Sequence, residues 1–475
     1  MPSLETVREW VAFALTWFNL GVLTYFLVLN TLYLVFSAVA LQRLLDHRRR
    51  WTRRELDAVI RSPATPGISL IVPAYNEEAT IVESVRALLL LNYPSFEIVV
   101  VNDGANDRTM DVLSAAYGML PAPASYPQLI TTQPVRSFHR SLAHPELVVI
   151  DKANGGKPDA INAGINAARY ALVCVIDADS ILEEHALTRV VLPFIEDPDT
   201  VAAGGMVRVV NGSTVEAGKV TRLGLPKSAL ATFQVVEYLR AFLAGRTALS
   251  AGNMLLIISG AFGLFRREAV IAVGGFRVDT VGEDMEIVTR LHRVYREQAR
   301  RYRIVFQPDP VCWTEAPETR KILGRQRNRW QRGTLQVLGY HRRMMANPRY
   351  GAIGLIAMPY YVLFEAAGPI IEFLGFAVTA LAFAFGLLNV RFAELLFLSA
   401  VAYGAMISMA AVLLQEIALE SYPRVRDLLV LFAVGIVENF GYRQLTTWWR
   451  FQGMVDYMKK KSDWGTMTRR GFSAA

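Results

Sequence analysis

The chain has 475 residues, of which 53% are hydrophobic and 19% are charged, and its mean hydropathy is +0.27. This composition is too apolar for an ordinary soluble enzyme and too charged for a protein made only of membrane helices. The net charge of +8 is compatible with nucleic-acid binding, but the basic residues cluster beside apolar segments, which favours contact with anionic lipid head groups. We therefore expect membrane segments at both ends, a soluble middle and no nucleic-acid partner.

The N-terminal segment carries no charged residue from Trp10 to Gln42. A helix of this length exceeds the roughly 30 Å hydrocarbon core, so residues 1–45 are expected to form a transmembrane helix that lies partly in the interface. The basic stretch HRRRWTRR (47–54) follows directly, and by the positive-inside rule the next domain is cytoplasmic.

Residues 46–318 are expected to form a soluble α/β domain. Apolar, β-branched runs alternate with amphipathic helical stretches, a pattern that favours a mainly parallel, Rossmann-like sheet covered on both faces. The expected strands lie in 68–78, 96–104, 146–152 and 171–179, and the clearest helices in 78–92 and 158–169. Cys174 and Cys312 lie in or beside apolar runs and are expected to be buried free thiols, which suits a reducing compartment.

Polar or acidic residues end each of these strands: Asn76, Asp103, Asp151, Asp177 and Asp179. Ligands of open α/β sheets bind outside the carboxyl ends of the strands, so these side chains outline one site. Two carboxylates spaced as in DAD (177–179) suit Mg²⁺ or Mn²⁺, which bridges to substrate phosphates. A solvated turn at the strand end is the competing interpretation.

Two further motifs carry candidate chemistry. In NGGKPDAIN (154–162), Lys157 follows two glycines and can supply positive charge to a phosphate, although an ordinary surface turn explains the stretch equally well. In VGEDME (281–286), Glu283 or Asp284 can act as a general base, or can simply stabilise the dipole of a helix N-terminus.

Residues 319–346 are expected to form an amphipathic helix at the membrane interface, and they contain RQRNRWQRG (325–333). Gln326 and Trp330 are four residues apart and share one helical face, where Trp330 could stack on a sugar. Arg329 could pair with a diphosphate. The alternative is a helix whose arginines and tryptophan only contact lipid head groups.

Apolar character returns in residues 347–449, where we expect about four transmembrane helices, near 351–368, 371–389, 394–414 and 427–447. The sequence leaves open whether 351–389 is one bent helix or two. Carboxylates inside such spans usually face a bundle interior or a polar path, and the candidates are Glu365, Glu372 and Glu438. The basic tail 450–475 is expected to be cytoplasmic.

The ordered set VPAYNEE, VNDG, GGKPDAIN, DAD, SGAFG, GED and QRNRW resembles family 2 glycosyltransferases, and more closely their processive membrane synthases of cellulose, hyaluronan and poly-N-acetylglucosamine. The resemblance implies a GT-A catalytic domain fused to transmembrane helices, with Mg²⁺ or Mn²⁺ as cofactor and a UDP-sugar as donor. One departure is Ala105, which stands where many relatives have serine.

By position, the resemblance assigns roles to residues of each motif. Asp284, beside Glu283, is expected to be the catalytic base, and Asp179 the metal ligand. The expected nucleotide-sugar contacts are Ala74, Tyr75, Glu77, Asp103, Lys157, Asp177 and Arg329. The expected acceptor contacts are Ser259, Gly260, Gln326 and Trp330. The candidate gating loop comprises Trp464, Thr466, Arg469 and Arg470, with a basic tail lying on lipid as the alternative.

The function that this resemblance implies is that of a hexosyltransferase. It would add glucose or N-acetylglucosamine by inversion to a growing β-linked polysaccharide and export the product across the plasma membrane. A non-processive transferase that adds one sugar to a lipid acceptor is the first alternative, and a non-catalytic membrane scaffold is the second. Membrane lipids are expected partners, and accessory export subunits are left open.

Overall fold

The structure is a computed structural model that describes residues 4–50, 53–123, 126–216, 218–387, 389–419 and 424–461. Its strands are β1 (Ile68–Ala74), β2 (Phe96–Asp103), β3 (Met119–Ala122), β4 (Val135–Ser141), β5 (Leu147–Lys152), β6 (Leu172–Ile176), β7 (Ile181–Leu182), β8 (Thr200–Val209), β9 (Thr214–Glu216), β10 (Lys219–Arg222), β11 (Phe262–Arg266) and β12 (Arg303–Thr314).

The α-helices follow the same chain order. They are α1 (Leu4–Arg50), α2 (Arg53–Arg61), α3 (Ile81–Leu89), α4 (Thr109–Tyr117), α5 (Lys157–Ala167), α6 (Ala186–Glu196), α7 (Ala229–Tyr238), α8 (Thr247–Ala251), α9 (Arg267–Ala272), α10 (Glu283–Glu297), α11 (Arg320–Tyr340), α12 (Met358–Tyr360), α13 (Gly368–Ala384), α14 (Val390–Phe397), α15 (Tyr403–Leu419), α16 (Val425–Val437) and α17 (Tyr442–Met458). Segments of π- or 3₁₀-helix are Leu239–Arg246, Arg342–Met344, Pro348–Tyr350, Ile353–Ala357, Tyr361–Ala366 and Leu398–Ala402.

The described residues form a ten-stranded mixed sheet in the order β3-β4-β5-β2-β1-β6-β11-β8-β12-β7. Its centre, β5-β2-β1-β6, is parallel, and these are the four strands that the sequence predicts. Their apolar residues are buried, as expected for strands with helices on both faces. The predicted α/β domain with a largely parallel central sheet, joined to helices that can span a membrane, is confirmed.

The register of the parallel strands brings their carboxyl ends to one edge. Ala74 pairs with Asn102, and Asn102 pairs with Asp151. On the other side of β1, Ile71 pairs with Val175, so that β6 ends beside β1 and the chain turns at Asp177. Because the ends align, the polar residues that follow them face a common crevice.

Three helices are long and apolar enough to cross a membrane among the described residues: Trp10–Arg49, Ile353–Ala384 and Val390–Ile417. They mark the chain as a membrane protein. The sequence allows either one helix or two in residues 351–389. In the structure a single helical stretch runs from Ile353 to Ala384. The fourth expected span, near 427–447, is divided between the 13-residue α16 and the more polar α17. The number of crossings stays a prediction.

The three acidic residues inside the predicted spans each contact an arginine. Glu438 accepts hydrogen bonds from Arg240 at 2.6 Å and from Ser408 at 2.5 Å. Glu372 lies 3.0 Å from Arg443, and Glu365 lies 3.2 Å from Arg450. Buried charges of this kind persist only when they are paired, so the helices are joined to one another by ion pairs.

Helix α11 connects the α/β domain to the C-terminal apolar helices. It packs along α17 and also contacts α10, the helix that begins with Glu283. At that contact Gly282 and Gly333 are so close that a Cβ on Gly333 would lie 3.0 Å from the Cα of Gly282. Because neither glycine has a side chain, the start of α10 can lie close to α11, the helix that carries QRNRW.

We predict that Gly333→Ala separates these two elements. Overpacking at a backbone contact should lower the free energy of unfolding by about 1–3 kcal/mol. Displacement of α10 from α11 should also reduce the sugar transfer that the resemblance implies by about tenfold to a hundredfold, because such displacements strongly affect reaction geometry. Thermal unfolding measures the first effect, and initial rates of transfer measure the second.

Gly339→Ala is the matched control in the same helix. A Cβ there would approach only the hydroxyl of Tyr457, at 3.3 Å, and that side chain is 36% exposed and can shift. Equal effects of the two substitutions would show that the helix, and not the contact with Gly282, is sensitive.

Candidate active site

Lys157 is the central cation of an acidic cluster. It is the first residue of α5, and its Nζ lies 2.5 Å from Oδ1 of Asp177 and 3.5 Å from Oε1 of Glu283. The same nitrogen donates to the carbonyl of Gly260 at 3.4 Å. Lys157 therefore joins the end of β6, the start of α10 and the SGAFG turn, three motifs that are far apart in sequence.

Asp284 also contacts the SGAFG turn. Its Oδ2 accepts a hydrogen bond from the backbone N–H of Gly260 at 3.2 Å, and its Oδ1 accepts one from its neighbour Met285 at 2.8 Å. The two bonds fix the orientation of the carboxylate at the N-terminus of α10. A carboxylate held in this way can accept a proton from a hydroxyl placed beside it.

Burial and charge act in opposite directions on this cluster. Burial raises the pKa of Glu283 to about 7, while Lys157 acts to lower it and Asp284 to raise it. Burial acts to lower the pKa of Lys157, but the charges of Asp177 and Glu283 outweigh it, and the pKa is raised. Lys157 consequently stays charged and holds together acids that would otherwise repel one another.

The cluster opens into a cavity of about 460 Å³. Of the predicted site residues, those that line it are Lys157, Asp177, Ser259, Gly260, Glu283, Asp284, Gln326, Arg329 and Trp330. The cavity is also lined by Tyr33 of α1 and by Tyr360, Tyr361 and Glu365 of the stretch 353–384. The acidic cluster and two candidate membrane spans thus border one continuous space.

The predicted nucleotide residues on β1 and β2 lie outside this cavity. Ala74 is buried at the end of β1, and Tyr75 beyond it is 48% exposed. Glu77 donates its backbone N–H to Thr109 at 2.9 Å and accepts at Oε2 from Thr80 at 2.6 Å. These contacts tie the loop after β1 to the loop after β2, beside the cluster.

Asp103 is buried with donors from the chain on both carboxylate oxygens. Oδ1 accepts from Lys152 at 2.6 Å and from the N–H of Gly155 at 3.0 Å, and Oδ2 accepts from the N–H of Gly156 at 2.7 Å. Gly156 has φ of +85°, a conformation that favours glycine. Asp103 therefore shapes the turn that immediately precedes Lys157, and its contact with the nucleotide sugar stays a prediction.

The two acids of the DAD motif differ in exposure. Asp177 is 27% exposed through its side chain and faces the cavity, whereas Asp179 is only 4% exposed. No group of three or more metal-ligating side chains occurs among the described residues. Mg²⁺ and Mn²⁺ sites that bind nucleotides use one or two carboxylates with substrate phosphates and water, so this pair fits such an ion.

The QRNRW segment lies on α11, as the sequence predicts. Trp330 is 40% exposed, and the guanidinium of Arg327 stacks over its ring at 4.3 Å from the centroid. Arg327 is itself buried and pairs with Glu237 at 2.6 Å. Gln326 presents a buried Oε1 that has no hydrogen-bond partner within the described part of the chain. The proposed gating residues, Trp464, Thr466, Arg469 and Arg470, lie outside the described residues.

Two family models match the chain in succession. The first, glycosyl transferase family 2, matches residues 69–126, and the second, glycosyltransferase like family 2, matches residues 130–333. Together the ranges cover more than half of the chain and include the acidic cluster. The chain belongs to glycosyltransferase family 2.

Curated relatives of this glycosyltransferase include poly-beta-1,6-N-acetyl-D-glucosamine synthases. That of Staphylococcus aureus (strain COL) is 29% identical over 273 residues, which are 57% of this chain and 55% of the relative. That of Staphylococcus epidermidis is 29% identical over 272 residues, with the same shares. The transferase thus has a polysaccharide synthase as a homologue, and the match spans about half the length of these relatives.

Among solved structures, the transferase is similar to a mannosyltransferase from Pyrobaculum calidifontis in complex with GDP-mannose and Mn²⁺. The TM-score is 0.50 at 20% identity, and the match covers 87% of this chain and 99% of that one. A likeness at this level shows a common GT-A fold.

Several residues of the transferase's site escaped the sequence analysis. Lys152 is fully buried and bridges Asp103 and Asp159, both at 2.6 Å. The three charged residues of the segment EYLRAFLAGR, Glu237, Arg240 and Arg246, line the cavity. A signal for this group is present in the sequence, because three charged residues stand in the otherwise apolar stretch 237–246.

We predict a pH dependence of stability from Glu283. Its folded pKa of about 7 lies above the usual 4.5, so the folded state retains a proton that the unfolded state has already released. The resulting stabilisation is complete below about pH 4.5 and is lost as the pH rises through about 7. Glu283→Gln should lack this loss, and the difference between the pH profiles should approach 3 kcal/mol, at ~1.4 kcal/mol per pKa unit.

Thermal unfolding of both proteins from pH 4.5 to 8.5 provides the measurement. Glu268→Gln, at an exposed position on α9, is the control and should follow the wild-type profile. Parallel profiles for the wild type and Glu283→Gln would contradict the assignment of a buried, proton-retaining carboxyl to this position.

Proposed function

We propose that this family 2 glycosyltransferase moves a sugar from a UDP-sugar to the end of a growing β-linked polysaccharide and passes the product between its own membrane helices. The observation that carries the proposal is the single cavity lined both by Asp284 and Lys157 and by Tyr33 and Tyr361 of two candidate spans. An enzyme that released its product into solution would have no need of such a continuous space.

The donor is proposed to be a UDP-sugar, with N-acetylglucosamine as the first choice and glucose as the second. The names of the staphylococcal relatives support N-acetylglucosamine. Tyr75 and Glu77, on the loop after β1, are proposed to contact the nucleotide with Ala74. Asp103 supports that side of the site by shaping the turn before Lys157.

A divalent cation, Mg²⁺ or Mn²⁺, is the proposed cofactor. Asp179 is the proposed ligand, with Asp177 beside it, because carboxylate oxygens suit these ions. When bound, the ion neutralises charge on the departing diphosphate. The complex of the Pyrobaculum mannosyltransferase with Mn²⁺ and a nucleotide sugar supports the choice of a divalent ion.

Asp284 is the proposed catalytic base. Its carboxylate takes the proton of the acceptor hydroxyl, and the hydroxyl oxygen attacks the anomeric carbon from the face opposite UDP. As the new C–O bond forms, the bond from the anomeric carbon to the diphosphate oxygen breaks and UDP departs, which inverts an α-linked donor to a β-linked product. The N–H of Gly260 keeps the carboxylate oriented, and Lys157 offsets the neighbouring negative charge.

The acceptor is proposed to lie across α11. Trp330 provides an exposed ring on which a sugar can stack, and the buried Oε1 of Gln326 can accept a hydrogen bond from a hydroxyl. Ser259 and Gly260 border the position of the reacting sugar. Arg329 lines the same cavity and is proposed to contact the diphosphate.

The membrane arrangement follows from charge. The basic residues near the end of α1 and the three lysines that directly follow α17 favour a cytoplasmic catalytic domain in a plasma-membrane protein. Lipid contact through the apolar helices is part of the proposal, as is the export of the glycan away from the cytoplasm. Accessory export subunits remain further proposed partners.

The proposal predicts that the purified protein in lipid nanodiscs, supplied with Mg²⁺ or Mn²⁺, releases UDP from a UDP-sugar and builds a polymer. A panel of radiolabelled UDP-sugars identifies the donor, and gel filtration gives the product length. Products extended by a single sugar on lipid would replace the processive claim with lipid glycosylation. Absence of UDP release from every donor would instead favour a scaffold.

Asp284→Asn provides the matched variant for this assay. Loss of a general base should lower transfer by ~10²–10⁴-fold while UDP binding is kept. Asp279→Asn changes an exposed acid five residues earlier that pairs with Arg277, and it should retain activity. Full activity of Asp284→Asn would show that another group accepts the proton.

A further inference from the structure

Four other cations that line the cavity form ion pairs with acids, whereas Arg246 forms none among the described residues. Lys157 pairs with Asp177, Arg327 with Glu237 and Arg450 with Glu365. Arg240 likewise pairs with Glu438. For Arg246, the described residues provide neither an ion pair nor a hydrogen bond, and its Nη1 is buried without a partner.

One face of the Arg246 guanidinium is occupied by an aromatic ring. Its Cζ lies 3.7 Å from the centroid of Phe242, one helical turn earlier in the segment Leu239–Arg246. Stacking of this kind uses the flat face of the guanidinium and leaves the N–H groups at its edge available. The ring therefore holds the side chain in place but does not satisfy its donors.

Arg246 lies between the proposed base and the membrane helices. Asp284 is near enough for its charge to act on Arg246, and Asp284, Tyr361 and Arg246 all line the cavity. The helical segment that carries Arg246 packs against α1 and α15. Some proposed donor contacts, such as Arg329, share this cavity, but they lie on α5, on α11 and on the turn after β6. Arg246 lies instead on a segment packed against helices that can span the membrane, so its position favours the acceptor over the donor.

We propose that Arg246 binds the acceptor glycan and donates hydrogen bonds to an oxygen of a sugar, either a hydroxyl or an acetamido carbonyl. The inference rests on the proposed function, because it requires a glycan in this cavity. A buried donor without a partner is unfavourable, and a sugar oxygen satisfies it without adding a second charge. Gln326, with a buried acceptor atom in the same cavity, complements Arg246 by accepting from a sugar hydroxyl.

The test measures acceptor and donor affinity separately. The probe is a pentasaccharide of β-1,6-linked N-acetylglucosamine, titrated into the full chain in nanodiscs by calorimetry without donor. UDP release with the same probe gives KM for the acceptor and KM for the UDP-sugar. Arg246→Gln should weaken pentasaccharide binding and raise the acceptor KM by about tenfold or more, as expected for loss of hydrogen bonds from a charged group. The donor KM should change by less than about twofold.

Two further variants complete the design. Arg246→Lys keeps the charge but loses the planar set of donors, so it should be intermediate, and it carries the test if Arg246→Gln does not fold. Arg300→Gln is the control, because Arg300 also stacks over an aromatic ring, at 4.6 Å from the centroid of Tyr295, but is exposed and does not line the cavity. It should behave as the wild type.

Three results would overturn the inference. Unchanged pentasaccharide binding in Arg246→Gln and Arg246→Lys would show that the side chain does not contact the acceptor. A rise in donor KM with an unchanged acceptor KM would assign Arg246 to the donor. Failure of the wild type itself to bind or extend any glycan would remove the acceptor altogether, and with it the proposed function, so the two failures are distinguishable.

Discussion

The acidic cluster at the candidate active site depends on the ion pairs that the ammonium group of Lys157 forms with two of its carboxylates. Asp177, after β6, and the neighbours Glu283 and Asp284, at the start of α10, line one cavity. Carboxylates so close together repel when they are charged. Lys157 reduces this repulsion by its contacts with Asp177 at 2.5 Å and Glu283 at 3.5 Å. Removal of one partner of such a buried cluster leaves charge uncompensated, which is far less favourable than the intact pair.

Lys157 reaches this position because of the turn before it. Asp103 binds the backbone N–H groups of Gly155 and Gly156, and buried Lys152 holds Asp103 in turn. The nucleotide side of the sheet is thus connected through one turn to the acids proposed to carry out the transfer. The same principle of paired buried charge continues into the helical region, where Arg240, Arg443 and Arg450 each meet an acid.

Part of the fold was predictable because it depends on local pattern. The strands β1, β2, β5 and β6 are runs of β-branched residues that end in polar side chains, and each was predicted within a few residues. Strand β8 (TVAAGGMVRV) contains alanine and glycine in place of such residues, and β12 (RIVFQPDPVCWT) is interrupted by two prolines. Neither pattern indicates a strand, and both strands form through pairing with neighbours that are remote in sequence.

The candidate site, like the fold, was predictable only in part. Motif residues such as Lys157, Asp177 and Asp284 were predicted and lie together, although their chemical roles remain predictions. Lys152 and Arg246 were missed because their significance depends on what surrounds them, which no spacing reveals. Glu237 and Arg327 are 90 residues apart in the chain, and their contact below Trp330 becomes visible only in the structure.

The central claim is that the glycan leaves the acidic cluster through the membrane helices. Cryo-electron microscopy of the protein in nanodiscs, after incubation with its UDP-sugar and a divalent cation, tests it most directly. Sugar density should begin at Asp284, cross the ring of Trp330 and continue between Tyr361 and Tyr33. Glycan density that leaves Asp284 towards solvent, with the space beside Tyr361 and Tyr33 empty of sugar, would contradict it.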